Sequence, residues 1–400
     1  MNNQIKLAVA AALLAAASSA NAGISIPAGD WTLDIGGVVN AFYTSTKTPG
    51  SSASSNIGTG LLPNVLAVSG TTRQNDLDVT FVIAIDPGGY TNRNLGTALG
   101  QGAQENRQAF FTFGDKSWGT VKIGKDLGIF ASDAILNDMT LLGVGNGAPG
   151  QAGAATTTTL GGIGGGYIYA DWKEQISYTT PNMNGFQATG GITQAWNETG
   201  ATDLLNGTAI TITSGSSAST GGSQPAFEGK ASYDFAADAV KGKVWVSGYT
   251  QKIQNALNYS SVNVGSPTAT VGDIGVNLNA AGFGVTAYYY GGTGVGATGL
   301  LDAGLSADGS KRDSNGGYVQ GTYVLPTATK IGLAWGESKL DAGTGDGAFT
   351  GYKNERWTVG AYHPLTKHVN LVAEYNNDKV TTNGTTLKTD TVSLGGILFF

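Results

Sequence analysis

The chain has 400 residues, 63 of them glycine, and only 12% are charged against an average of about 25%, a composition that excludes an ordinary soluble helical enzyme. There is no cysteine, hence no disulfide framework, thiolate metal site or cysteine nucleophile, and two histidines, His363 and His368, are too few for a multi-histidine metal centre. A formal charge of −6 argues against a nucleic-acid-binding surface.

In chain order, the first element is a leader. Met1 to Lys6 carries one cation, Leu7 to Ala17 is uninterruptedly apolar, and Ala20-Asn21-Ala22 has the small-residue form of a cleavage site, so residues 1–22 read as a removable secretory signal. The remaining 23–400 read as one domain. The apolar run is too short to span a bilayer, which takes roughly 18–20 residues, and no later run is longer. A membrane protein of this kind has to cross as a closed barrel, because an open sheet edge leaves backbone groups unpaired in lipid.

From Asp30 the period is two: Trp31, Leu33, Ile35, Gly37, Val39, Ala41 and Tyr43 share one face, and Thr32, Asp34, Gly36, Val38, Asn40 and Phe42, largely small or polar, fall on the other. Fourteen further strands are predicted near 63–70, 77–85, 105–113, 119–125, 172–180, 186–195, 226–235, 242–251, 271–280, 283–291, 315–325, 330–338, 352–363 and 368–378. A last strand carries Val392, Leu394, Gly396, Leu398 and Phe400 on one face, which makes sixteen. Short turns such as Pro181 to Gly185 and Ala281-Gly282 alternate with longer, Gly- and Ser-rich connections at 45–62, 86–104, 126–171, 196–225, 252–270, 292–314, 339–351 and 379–386. Short turns on one rim and long loops on the other are the pattern of outer-membrane barrels. Aromatic residues near the strand ends (Trp31, Tyr43, Trp172, Trp196, Tyr249, Trp335, Tyr375, Phe399, Phe400) fit interfacial belts. A soluble β-sandwich or β-helix also uses such turns, but sixteen hairpin-linked segments without a helix or a fixed repeat argue against it.

Several motifs imitate other chemistry. Gly119 to Lys125 spells most of a phosphate-binding loop, but Asp126 replaces the required Ser/Thr and no helix follows. Asp341 to Asp346 fails the spacing of a calcium loop. Both histidines flank one turn, which leaves no Ser, His and Asp set for a barrel enzyme. No catalytic residue, metal or cofactor is expected.

Phe110 to Asp126 (FFTFGDKSWGTVKIGKD), Glu174 to Gly190 (EQISYTTPNMNGFQATG) and the closing strand ending in Phe400 resemble the trimeric general porins of Gram-negative outer membranes over essentially all of 23–400. The resemblance implies an all-β, 16-stranded antiparallel transmembrane barrel with its long third loop folded into the lumen. It also implies a homotrimer in outer-membrane lipid, passive diffusion of small hydrophilic solutes and ions, and a terminal Phe400 read by the assembly machinery. The third loop, Asp126 to Asp171, is expected to pack Phe130, Ile135, Leu136 and Met139 on the wall while Asp133 and Asp138 face the aperture. It lacks, at Leu142 to Gly145, a glutamate that several family members carry. Opposite, Lys125 matches the family's basic residue, and a bulge at Gly124 would bring Lys122 to the same face; Arg73, Arg107 and Lys173 are further candidates. Two lysines against two aspartates predict weak ion selectivity, tilted towards anions by the missing glutamate. The alternatives are a substrate-selective porin for small organic acids or sugars, and a plugged structural or adhesive barrel.

Overall fold

The computed structural model describes residues 23–87, 104–146, 158–196, 201–205, 208–212, 224–254, 256, 263–306 and 308–400. The expected leader, residues 1–22, lies outside the described residues. In chain order the strands are β1 (Ile24–Ala28), β2 (Trp31–Lys47), β3 (Ser54–Gly58), β4 (Val65–Gln74), β5 (Leu77–Pro87), β6 (Gln104–Asp115), β7 (Gly119–Leu127), β8 (Trp172–Thr179), β9 (Phe186–Thr193) and β10 (Ala201–Leu205). They continue as β11 (Thr208–Ile212), β12 (Ala226–Ala237), β13 (Val240–Lys252), β14 (Thr268–Ala280), β15 (Phe283–Thr293), β16 (Asp313–Val324), β17 (Lys330–Leu340), β18 (Tyr352–Pro364), β19 (Val369–Thr382) and β20 (Thr385–Phe399).

Sixteen of these form the wall. Each pairs antiparallel with the next, β9 with β12, and β20 returns to β2 with Val39 opposite Leu398, so the ring closes without a free edge. The other four strands are additions. β1 lies end to end with β20 along β2, β3 pairs with the upper half of β2, and β10 and β11 form a separate hairpin. β3 falls within the connection predicted at 45–62 and β10 and β11 within that at 196–225, while β1 is a strand the sequence pattern does not mark.

Alternation explains which side is which. Val39, Tyr43, Ile83, Phe111, Ile176, Val246, Ile274, Leu333 and Leu394 stand exposed on the outside, while their neighbours Asn40, Ser177, Asp273 and Ser393 are buried inside. An apolar exterior over a polar interior is the inverse of a soluble protein and suits a lipid surround. The belt reading needs correction: Tyr43 and Trp335 face out, whereas Tyr249 and Phe399 are buried inward at 4% and 1% exposure. At the short-turn rim, Asn75-Asp76 takes two consecutive positive φ values (47° and 63°), the backbone a twisted two-residue hairpin requires. The connection predicted at 379–386 is equally tight, with only Asn383-Gly384 between β19 and β20. The remaining long connections lie on that same rim, which by their length is the outer one.

Candidate functional site

The segment between β7 and β8 turns inward, and several of its backbone amides find their partners on inward-facing side chains of the far wall. Ile129 and Phe130 amides both donate to Glu228 Oε2 of β12 (2.8 Å each), Ala131 N donates to Ser247 of β13, and Met139 N to Gln320 of β16. Farther on, Gly166 N donates to Ser338 of β17, and the Val144 and Gly145 amides to Glu374 Oε2 of β19 (2.8 Å each). Irregular backbone at membrane depth is tolerated where protein side chains satisfy it. The segment therefore runs inside the barrel along the β12–β19 wall. Among its described residues are a short helix, α1 (Ser132–Leu136), and a 3-10 turn, Met139–Leu142. Phe130, Ile135 and Met139 are buried as expected, whereas Leu136 is only half-buried; the nearby rings of Tyr167, Tyr288 and Tyr318 lie tilted against one another at centroid distances of 5.6–5.7 Å.

Both loop aspartates depart from expectation. Asp133 is 3% exposed and faces the wall, held by Lys230 at 2.8 Å and Lys243 at 2.5 Å. Asp138 caps the 3-10 turn through Thr140 N and accepts from Tyr167 Oη (2.9 Å), with Arg356 at 3.8 Å. A carboxylate withdrawn from water needs hydrogen bonds and a counter-charge, and these pockets supply both. Neither side chain faces the aperture.

The basic candidates separate as well. Lys122 points inward and is paired with the fully buried Asp126. Lys125 does not join it. The ladder runs unbroken through Gly124, so no bulge forms there, and Lys125 lies in register with Glu174, which is exposed while Lys173 and Gln175 on either side are buried. Lys125 is thus on the outward face. A bulge does occur one hairpin earlier, between Ala84 and Asp86, and it turns Arg107 inward onto Asp86 (3.2 Å) and Glu105 (2.8 Å). Lys173 is wholly buried against Glu228 at 2.6 Å, with its ammonium over the Trp196 and Tyr249 rings. Arg73 sits at the short-turn end, half-exposed and bound to Asp78 and Asp115, away from the loop.

Sequence reasoning missed Glu228, Lys230, Lys243, Arg356 and Glu374. The signal was present in β12 and β13, where Phe227 and Tyr233 face out and Glu228, Lys230 and Ser232 alternate with them. What the lumen water meets first are ammonium groups: the Lys122, Lys230 and Lys243 side chains are 18%, 21% and 28% exposed, in front of carboxylates at 0–4%.

Phe400 closes the seam. Gly37 N donates to its carbonyl (2.8 Å) and its own amide donates to Gly37 O (3.1 Å). A side chain at Gly37 would strike the Phe400 ring, so only glycine lets that ring lie flat on β2.

A family model described as Gram-negative porin matches residues 8–383. No curated protein sequence matches significantly. Among solved structures, the outer membrane channel DcaP of Acinetobacter baumannii aligns with a TM-score of 0.66 at 16% identity, covering 95% of this chain and all of that one. An anion-selective porin from Comamonas acidovorans gives 0.62 at 15% identity (92% and 100% covered). OmpT of Vibrio cholerae in a trimer form gives 0.55 at 12% (92% and 99% covered). At such identities these likenesses speak for the fold alone.

Proposed function

We propose, for a chain that belongs to the Gram-negative porin family, that its aperture lies between the inner loop and the β4–β9 wall and passes small anions somewhat more readily than small cations. As a member of that family the protein is an outer-membrane channel for passive diffusion of small solutes, not an enzyme. The single observation behind the anion preference is the order of charges: the lumen ammonium groups of Lys122, Lys230 and Lys243 each stand nearer the water than the carboxylate that balances them. An ion in transit feels the nearer charge more strongly, and the Debye length of about 8 Å at physiological salt keeps remote charges out of the balance. Beside Lys122 on its own wall the inward positions in register are neutral, Thr80, Thr112 and Ser177, so no carboxylate flanks it along that row.

Zero-current potentials in a planar bilayer under a potassium chloride gradient test this. The expected sign is that of a mild chloride preference; a potassium preference would overturn the reading of the aperture. Assembly as a homotrimer and removal of residues 1–22 complete the proposal. It is supported by the family, by the trimer form of OmpT, and by the leader pattern at Ala20 to Ala22. Unboiled detergent-gel migration far above the monomer mass and an N-terminal sequence beginning at Gly23 are the outcomes to check.

A further inference from the structure

Above the inner loop, on the outer side, lies a concavity of about 400 Å³ whose floor is apolar: Leu61, Leu127, Leu136, Leu141, Leu160 and Ile163. Its edge is acidic. Glu105, Asp171 and Asp302 line it, and the one cation among its lining residues, Arg107, is already held by Asp86 and Glu105. Three carboxylates thus line the cavity beside one guanidinium. Beside them stand two half-buried aromatic residues, Tyr169 and Trp172, whose polar atoms satisfy each other through a 2.7 Å bond from Trp172 Nε1 to Tyr169 Oη. With their polar ends occupied, the rings offer π-faces, and Arg107 already lies 6.0 Å from the Trp172 ring centre.

We propose that this vestibule binds organic cations that carry an apolar body, seating the body on the leucine floor and the ammonium among the carboxylates and Trp172. This deepens the channel reading above and rests on it. The apolar floor selects for burial of a hydrocarbon group, which a small inorganic ion cannot provide. The acidic edge selects the sign of the charge. The same short helix serves both faces: Ile135 and Leu136 line the cavity, while Asp133 is turned to Lys230 and Lys243. A cation seated above therefore meets ammonium groups on the way down. It is held in the vestibule and obstructs the current instead of passing.

All lining residues come from the long-loop rim or the inner loop, so the site is reached from outside. The test is single-channel recording of the whole protein with 3-phenylpropylammonium as probe, against ethylammonium (same charge, little apolar body) and 3-phenylpropionate (same body, opposite charge). The expected result is reversible block by 3-phenylpropylammonium added on the outer side, with an apparent affinity at least tenfold above either control and above that for addition from the periplasmic side. Leu160→Ser and Asp171→Asn should each weaken block about tenfold while leaving unblocked conductance unchanged, which also certifies the fold; asparagine suits the positive φ (55°) at position 171. Equal block by 3-phenylpropionate, equal block from both sides, or indifference to both substitutions overturns the proposal. Isothermal titration of 3-phenylpropylammonium into the detergent-solubilised protein reads binding independently of conduction. A conducting channel with no heat and no block sinks this site alone, and a protein that binds the probe yet never conducts sinks the channel reading.

Discussion

Replacing Asp133 by asparagine removes one negative charge from the lumen without changing the shape of the side chain, and the consequence for selectivity can be worked out in advance. Asp133 is the shared counter-ion of Lys230 (on Oδ2) and Lys243 (on Oδ1), so asparagine leaves an acceptor oxygen for one of them and the other turns to water. For an ion passing about 8 Å from position 133, a unit charge in water is worth about 0.5 kcal/mol before screening and about 0.2 kcal/mol at physiological salt. Cations lose that amount and anions gain it, so the anion-to-cation permeability ratio should rise about twofold. At 1 M salt, where the Debye length is about 3 Å, the change should shrink to roughly a tenth of its unscreened free energy and become hard to detect. The assay is the zero-current potential under a fixed tenfold gradient, measured at low and at high mean salt. An unchanged potential at low salt, or a shift towards cations, refutes the placement of Asp133 behind the two lysines.

Three other outcomes follow from the same geometry. Lys243→Glu should move the zero-current potential towards cations, whereas Lys125→Glu, on the outward face, should leave it where it is; equal shifts from the two would mean the inward and outward faces of β7 are misassigned. Glu374→Gln replaces the charged acceptor of the Val144 and Gly145 amides and of Tyr362 Oη (2.6 Å), costing the inner loop about 2 kcal/mol of attachment. Amide exchange at Val144 and Gly145 should then quicken about thirtyfold while exchange in β19 stays slow, and unchanged protection at those two amides would count against the anchoring role. Deleting Phe400 removes two seam hydrogen bonds and the ring over Gly37, so less protein should reach the outer membrane in fractionation and more should be degraded; undiminished surface levels would show the terminal ring dispensable.

The wall was legible in the sequence because its physics is local. Period-two alternation placed Val39, Ala41 and Tyr43 outside and Asn40 inside, and turn residues delimited β12, β15 and β18 to within two residues of where they stand. The site was less legible because its geometry depends on what lies across the lumen. The sequence marks Asp133 and Asp138 as the loop's carboxylates, yet nothing nearby in the chain says that lysines on β12 and β13, or an arginine on β18, turn them towards the wall. Lys125 illustrates the cost of overriding alternation: strict parity put it outside, and a bulge was invoked at Gly124 to bring it in. The structure keeps the parity there and places its irregularity at Ala84/Asp86, where the sequence gives no glycine to mark it.

The meeting of Val38 with Phe399 across nearly the whole sequence has a kinetic consequence. Until the last residues arrive, β2 and the newest strand each present an open row of donors and acceptors, and no shorter stretch of the chain can cover both. Contacts of such long range are also the slowest to form, since the loop they close must be ordered before they reward it. Every molecule therefore passes through a period of two adhesive edges, longest where its synthesis is slow. An escort that occupies one of them during transit would shorten that exposure more than any added strength in the finished wall.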